Sequence, residues 1–398
     1  EYAKTGERKL RSPSQLITVL SKMLGSELGD GLSRKTRKRI YESMTVMTEA
    51  LNATWTSMES FAEGKTMRGW PVKGVNPTRK DIFEFDSFNG AHAMEAIARA
   101  AEQMALHGEM QTAASLVFSS ASALYDGFIT DDLERTKLND EGVVVYVPNG
   151  ASEGRLGNFK RMHPKWPCLE QPQATNHGLR AAFAASALLK ACKAIDWTAT
   201  EWKLVESDGT PVNRNDFLGK AENFVKYSYI FLKTQFKRRK TKENDFYQGD
   251  NGKFFFKWKY RDYAQCDDTF REEHHRWQDI SHLQHEIGFV AEVATLGSAL
   301  HANTTYYGNT KVATRRIIVS MQAKIIKDRG KFGAKRFACD LDGETDPTSR
   351  ACQGRRAEIR RMNMVPNILT PTITARNDTK YTCDVLNLIN DVIPFYLE

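Results

Sequence analysis

The strongest constraint on the fold is a helical period. Ile40, Met44, Met47, Leu51, Trp55 and Met58 recur at steps of three and four, the spacing that lines one face of an α-helix. This predicts one long amphipathic helix whose Met/Trp stripe belongs to the core. A second helix is predicted from about Ala91 to Leu106, after Phe88-Asn89-Gly90. His107-Gly108 breaks it, and a third follows from about Glu109 to Tyr125, until Gly127. Helices joined by breaks this short are hairpins. The same reading predicts helices over about Asn176 to Ile195, Asp216 to Phe236, Asp279 to Leu300 and Lys311 to Asp328, with a last one near Tyr381 to Ile393. Thr130 to Thr175 is a long irregular stretch with one candidate strand, VVVYVP, and Lys331 to Thr374 is a loop-rich tail. No repeat, low-complexity run or linker divides the chain, so residues 1–398 are read as one all-α domain of stacked hairpins with long loops and little β structure.

At 398 residues the chain can bury a large core. Its longest apolar candidate, Ala181 to Cys192, contains Lys190 and falls short of the roughly 18 residues a membrane helix needs. The start at Glu1 without Met fits a trimmed secreted protein, and secretion is the expectation. Three sequons, at Asn52, Asn303 and Asn377, lean the same way. The net charge of +8 favours an anionic partner. Two basic runs, Arg34–Arg39 around Thr36 and Lys237–Lys240, carry no nucleic-acid motif and read as solvated faces. The six cysteines contain no CxxC pair, which argues against structural zinc. Cys339 and Cys352 flank a Gly/Asp/Thr-rich loop that a disulfide could staple, whereas Cys192 reads as a buried thiol.

Three segments could carry chemistry. In Thr175-Asn176-His177-Gly178-Leu179-Arg180, after Pro172, the chain enters a helix with Thr175 or Asn176 as cap. Asn176 and His177 then sit at the positive end of the helix dipole, where an anion or developing oxyanion is favoured and a neutral imidazole is kept available as a base. A simple cap and a satisfied polar histidine would give the same letters. HHRWQDISHLQH, His274 to His285, holds four of the nine histidines. His282, His285 and Phe289 fall on one helical face, Glu286 is badly placed to share it, and no HExxH is present, so the cluster is not read as a metal centre. Phe254 to Tyr263, FFFKWKYRDY, alternates rings with cations. That pattern suits stacking on sugars with carboxylate capture, or single-stranded nucleic acid, or a buried aromatic segment with snorkelling lysines.

NHGLRAAFAASALLKA resembles the Asn-His helix start of alginate-lyase-type polysaccharide lyases. WKYRDY, followed about twenty residues on by WQDISHLQHEIGF, is similar to the aromatic-Tyr and Asp-x-Ser-His elements of that class. The resemblance covers roughly Pro172 to Val290. Gln278 stands where an acid is expected, and the segment between His177 and the candidate tyrosines is longer than usual. The resemblance implies an α/α toroid, an incomplete barrel of helical hairpins, cleaving a 4-linked polyuronate such as alginate or glucuronan by β-elimination. It implies Asn176, His177, Tyr260 and His282 as catalytic residues. Arg261, Tyr263, Trp258, Lys259, Arg180, Gln173 and His285 are the expected substrate-binding residues. No metal or organic cofactor is expected. The expected partner is an anionic uronic-acid polysaccharide, with no nucleic acid and no membrane, and the protein is expected to act as a monomer.

Two other classes remain open. A helical-toroid glycoside hydrolase would need two carboxylates flanking the bond, for which Asp267, Asp268, Asp279 and Glu170 are candidates. A non-catalytic acidic-polysaccharide-binding protein would keep the basic aromatic segment and need neither His177 nor Tyr260.

Overall fold

The computed structural model describes residues 10–59, 66–73, 83–84, 87–129, 175–206 and 208–237, and shorter pieces at 246–248, 254–256, 286, 288–289, 292–293, 326–328 and 335–337. These residues are mostly helical with little strand. In chain order the principal elements are α1 (Arg11–Leu24), α2 (Glu27–Asp30), α3 (Arg34–Asn52), β1 (Thr56–Glu59), β2 (Thr66–Gly69), β3 (Val72–Lys73), β4 (Phe83–Glu84), α4 (Ser87–Leu106), α5 (Met110–Leu124), a π-helical turn (Tyr125–Ile129), α6 (Thr175–Ala194), α7 (Arg214–Lys237), β5 (Phe246–Gln248), β6 (Phe254–Phe256), β7 (Ile326–Asp328) and β8 (Lys335–Phe337). The strands form four antiparallel two-stranded hairpins among the described residues. The chain divides into two compact units, Glu1–Gln173 with Arg180–Ser228, and Ala174–Leu179 with Tyr229–Glu398.

In the first unit α4 is the central helix. Every residue from Ala91 to Ala101 is buried, so this helix has no solvent face for an amphipathic pattern to mark. Alanines make that burial feasible: Ala91, Ala93, Ala96, Ala98, Ala100 and Ala101 let neighbouring backbones approach closely. α1, α3 and α5 all pack on it. The α4–α5 hairpin forms as expected. Gly108, at φ +86°, accepts the left-handed conformation at little cost. The N–H of Glu109 reaches the Met104 carbonyl, and that of Gly108 the Ala105 carbonyl. This is a Schellman stop, which satisfies the last carbonyls of α4.

The long helix expected through Met58 stops sooner. α3 ends at Asn52, Trp55 lies in the turn beyond it, and Met58 belongs to β1, paired with Met67 of β2. The apolar spacing persists because Trp55 still faces the core, its indole N–H donating to the Ser119 carbonyl at 3.1 Å. The basic run of Arg34 to Arg39 forms the start of α3 and is largely exposed, as a solvated face should be. Ser33 caps it by accepting the Thr36 N–H.

In the second unit Phe254–Phe256 is extended and pairs with Phe246–Gln248, in keeping with its β-favouring aromatic run. Ile326–Asp328 corrects the sequence reading: the end of the helix expected over Lys311 to Asp328 is instead strand β7, paired with β8. VVVYVP and the helix expected near Tyr381 lie outside the described residues. Cys192 is a buried free thiol, pushed up to about 12 by burial, and the other five cysteines lie outside the described residues.

Candidate functional site

α6 forms where expected. It opens at Thr175, so the expected cap residues Thr175 and Asn176 lie within the first turn together with His177. His177 is half-buried. One turn on, α6 turns apolar: Leu179, Ala181, Ala182, Phe183, Ala184 and Ala185 are all buried.

Arg180 departs from its expected place on a substrate surface. It is 5% exposed, and its Nη2 donates to Glu95 Oε2 and, at 2.8 Å, to His92 Nδ1. Glu95 Oε1 accepts from Arg99 Nε at 2.7 Å, and Lys22 Nζ stands 3.8 Å away. Phe183 lies among these cations: Lys22, Arg180 and Arg99 stand 5.0, 5.1 and 5.3 Å from its ring centre. Phe88 packs edge-on against His92 at 4.9 Å, and Arg11 lies over the Phe88 ring. Burial works to raise the Glu95 carboxyl, but Arg180, Arg99 and Lys22 outweigh it and hold its pKa down to about 2. Glu95 is therefore an ion at neutral pH, and it already fills the anion position beside Arg180. Direct capture of a sugar carboxylate by Arg180 would have to displace it. Arg180 is a positioning residue that ties α6 to α4.

A second buried carboxylate sits in the π-helical turn. Asp126 accepts from the Arg68 backbone N–H at 3.0 Å, and from Arg68 Nε and Nη2 at 2.7 and 2.8 Å. Arg68 Nη2 also donates to the Val205 carbonyl, and the Tyr125 hydroxyl donates to Glu206 at 2.7 Å. From this π-helical turn the Asp126 side chain receives the β2 backbone.

Between α6 and α7 the chain builds an open groove of about 780 Å³, lined by Trp197, Trp202, Lys203, Asn213, Arg214 and Asn215 among others. Each indole N–H is tied to the backbone, Trp197 to the Cys192 carbonyl at 2.7 Å and Trp202 to the Val212 carbonyl at 2.8 Å. Phe118 and Phe217 back the pair.

No protein-family model matches the chain, and no curated protein sequence matches it. Candidate roles for its residues therefore rest on chemistry and placement.

Gln173, Trp258, Lys259, Tyr260, Arg261, Tyr263, His282 and His285 lie outside the described residues. Of the expected site, Asn176, His177 and Arg180 are described, all on α6. On the segment carrying His282 and His285, residues Glu286, Phe289 and Val293 are helical and buried. They follow an i, i+3, i+7 spacing, so Glu286 shares the buried face with Phe289, contrary to its expected position off that face. Among the described residues no group of three His, Cys, Asp or Glu side chains is placed to hold a metal ion. Also among the described residues, no helix is long and apolar enough to cross a membrane.

Sequence reasoning passed over Glu95, Arg99 and His92. Their signal was present, because three polar groups interrupt an otherwise alanine-rich run, AHAMEAIARAA. It also passed over the Trp197–Trp202 pair, whose signal was two tryptophans close together just beyond the helix expected to end near Ile195.

Proposed function

We propose that the protein is a secreted, monomeric polysaccharide lyase that cleaves a 4-linked polyuronate, alginate or glucuronan, by β-elimination, and that its helices form an α/α toroid. One observation carries the reading: the segment resembling the lyase motif is a helix with Asn176 and His177 in its first turn, ahead of a buried small-residue face. Backbone N–H groups at such a start favour negative charge.

In this reading Asn176 and Arg261 hydrogen-bond the uronate carboxylate and stabilise the charge that develops on it. His177, or an ionised tyrosine, takes the proton from C5. The electron pair forms the C4=C5 double bond, the C4–O4 bond breaks, and Tyr260, or failing it Tyr263, protonates the departing O4. His282 binds the carboxylate or tunes the tyrosine. Trp258, Lys259, Gln173 and His285 line the substrate path. No metal or organic cofactor takes part. Arg180 acts from behind, by fixing α6 to Glu95.

The test is an absorbance assay at the ultraviolet edge with alginate, glucuronan and a neutral glucan. The unsaturated uronate should accumulate with one of the acidic polymers and not with the glucan. His177→Ala should lower kcat at least 100-fold, the usual scale of one acid–base group. New reducing ends without absorbance would replace the lyase by a hydrolase.

A further inference from the structure

We infer that the groove between α6 and α7 is a binding subsite for a uronate residue of an acidic polysaccharide. Its ligand class rests on the polyuronate reading above; its location does not.

Two features of the groove point to a ligand with an apolar face and a single negative charge. The first is a pair of fixed rings. Trp197 and Trp202 are half-buried, with centroids 5.2 Å apart and planes at 73°. Both indole N–H groups are spent on backbone carbonyls. The rings can therefore offer a ligand hydrophobic surface and π-faces, the surface a pyranose C–H face stacks on, without a rotamer search.

The second feature is charge. Arg214 places its guanidinium 5.8 Å from the Trp197 ring centre, and among the described residues it has no carboxylate partner. Lys203, the other cation in the lining, is matched by Glu201 at 3.3 Å. Among the described residues of the lining, Arg214 is thus the cation without a carboxylate partner. It is a planar fork suited to a carboxylate, set beside an aromatic ring. Asn213 spends its side-chain carbonyl on the Asn215 and Asp216 N–H groups, which leaves its amide N–H₂ as a donor for a hydroxyl. A uronate ring combines these elements: a C–H face, one carboxylate and flanking hydroxyls. A single-stranded nucleic acid also stacks, but it brings a phosphate at every step and calls for a groove tracking several cations. Here there is one.

The experiment is isothermal titration calorimetry on the full chain carrying His177→Ala, so that elimination does not consume the ligand. The probes are tetrasaccharides of 4-linked glucuronate and mannuronate, neutral cellotetraose and a single-stranded DNA hexamer. The inference predicts binding of a uronate tetramer that falls at least tenfold on adding Arg214→Ala. Arg214→Lys should recover part of the loss, and Trp197→Phe should weaken the uronate and cellotetraose alike. Unchanged melting temperatures show that the variants fold. Uronate binding that ignores Arg214→Ala overturns the inference, as does equal affinity for cellotetraose, or Arg214-dependent DNA binding tighter than that of either uronate. Arg214-dependent uronate binding, where the chain with His177 intact yields no ultraviolet-absorbing product, upholds the subsite while the lyase reading fails. Product formation with binding indifferent to Arg214 does the reverse.

Discussion

Glu95 and Asp126 are both buried, and both are held by arginine, yet their surroundings push them in opposite directions. Glu95 has Arg180 on one oxygen and Arg99 on the other, with Lys22 close by. Their combined field overcomes burial and keeps the carboxyl at about 2. Among the described residues Asp126 is paired with a single cation, Arg68. Arg68 grips it through its backbone N–H and the Nε–Nη2 edge of its guanidinium, but burial wins, with Glu206 adding repulsion, and the Asp126 carboxyl is raised above its usual value. Good hydrogen-bond geometry at one arginine does not compensate full desolvation of a carboxylate; two more cations do. The difference also sorts roles. The Glu95 centre keeps its charge and locks two helices together, whereas Asp126 ties a strand to a turn and can take up a proton.

The largest effect that would break this comparison is at Glu95. Glu95→Ala leaves Arg180 buried without the carboxylate it donates to, and should destabilise the fold by about 3–5 kcal/mol, read by urea unfolding. A loss under 1 kcal/mol would mean that the centre is wet or replaceable. Arg68→Met should cost less, about 1–3 kcal/mol, because Asp126 escapes by protonating. Its deficit should shrink as pH falls toward 4, which a melting series against pH would reveal.

The smallest effect is in the slope of stability with pH, at most about 1.4 kcal/mol per unit for one proton. The folded pKa of Glu95 lies below its unfolded value. Its stabilisation is therefore complete above about 4.5 and is lost as pH drops toward 2. Asp126 has the opposite sign: the folded state binds its proton first, so acidification offsets part of the loss. Glu95→Gln should flatten the acid limb, and Asp126→Asn should steepen it. Parallel curves for all three proteins would show that neither group titrates as its surroundings dictate.

The helices that were legible in the sequence were those with an unambiguous stop or start. Gly108 ended α4 because its φ of +86° suits glycine, and Pro172 before Thr175 announced α6. What escaped notice has physical reasons. Glu95 and Arg99 are four apart on a helix, the spacing of an ordinary exposed ion pair. Only the arrival of Arg180, 85 residues away in sequence, makes them a buried centre. Trp55 kept the helical period after α3 had ended, because its side chain still faces the core although its backbone is no longer helical. α1 was not anticipated, though Ser14, Ile17, Thr18, Ser21 and Leu24 make up its buried face; three of those five are hydroxyl residues, which apolar pattern matching skips. Of the candidate site, the Asn176–His177 helix start was legible. The retirement of Arg180 into the core was not, since a lone arginine one turn into a helix looks the same whether or not its anion comes from within the fold.

The most direct test of the proposed chemistry is to digest glucuronan and alginate in heavy-oxygen water and weigh the oligosaccharides by mass spectrometry. Elimination predicts fragments whose non-reducing ends lack the elements of one water molecule and whose new reducing ends carry no heavy oxygen. Heavy oxygen at those reducing ends would show that water, and not the loss of the C5 proton, breaks the chain, and would contradict the account.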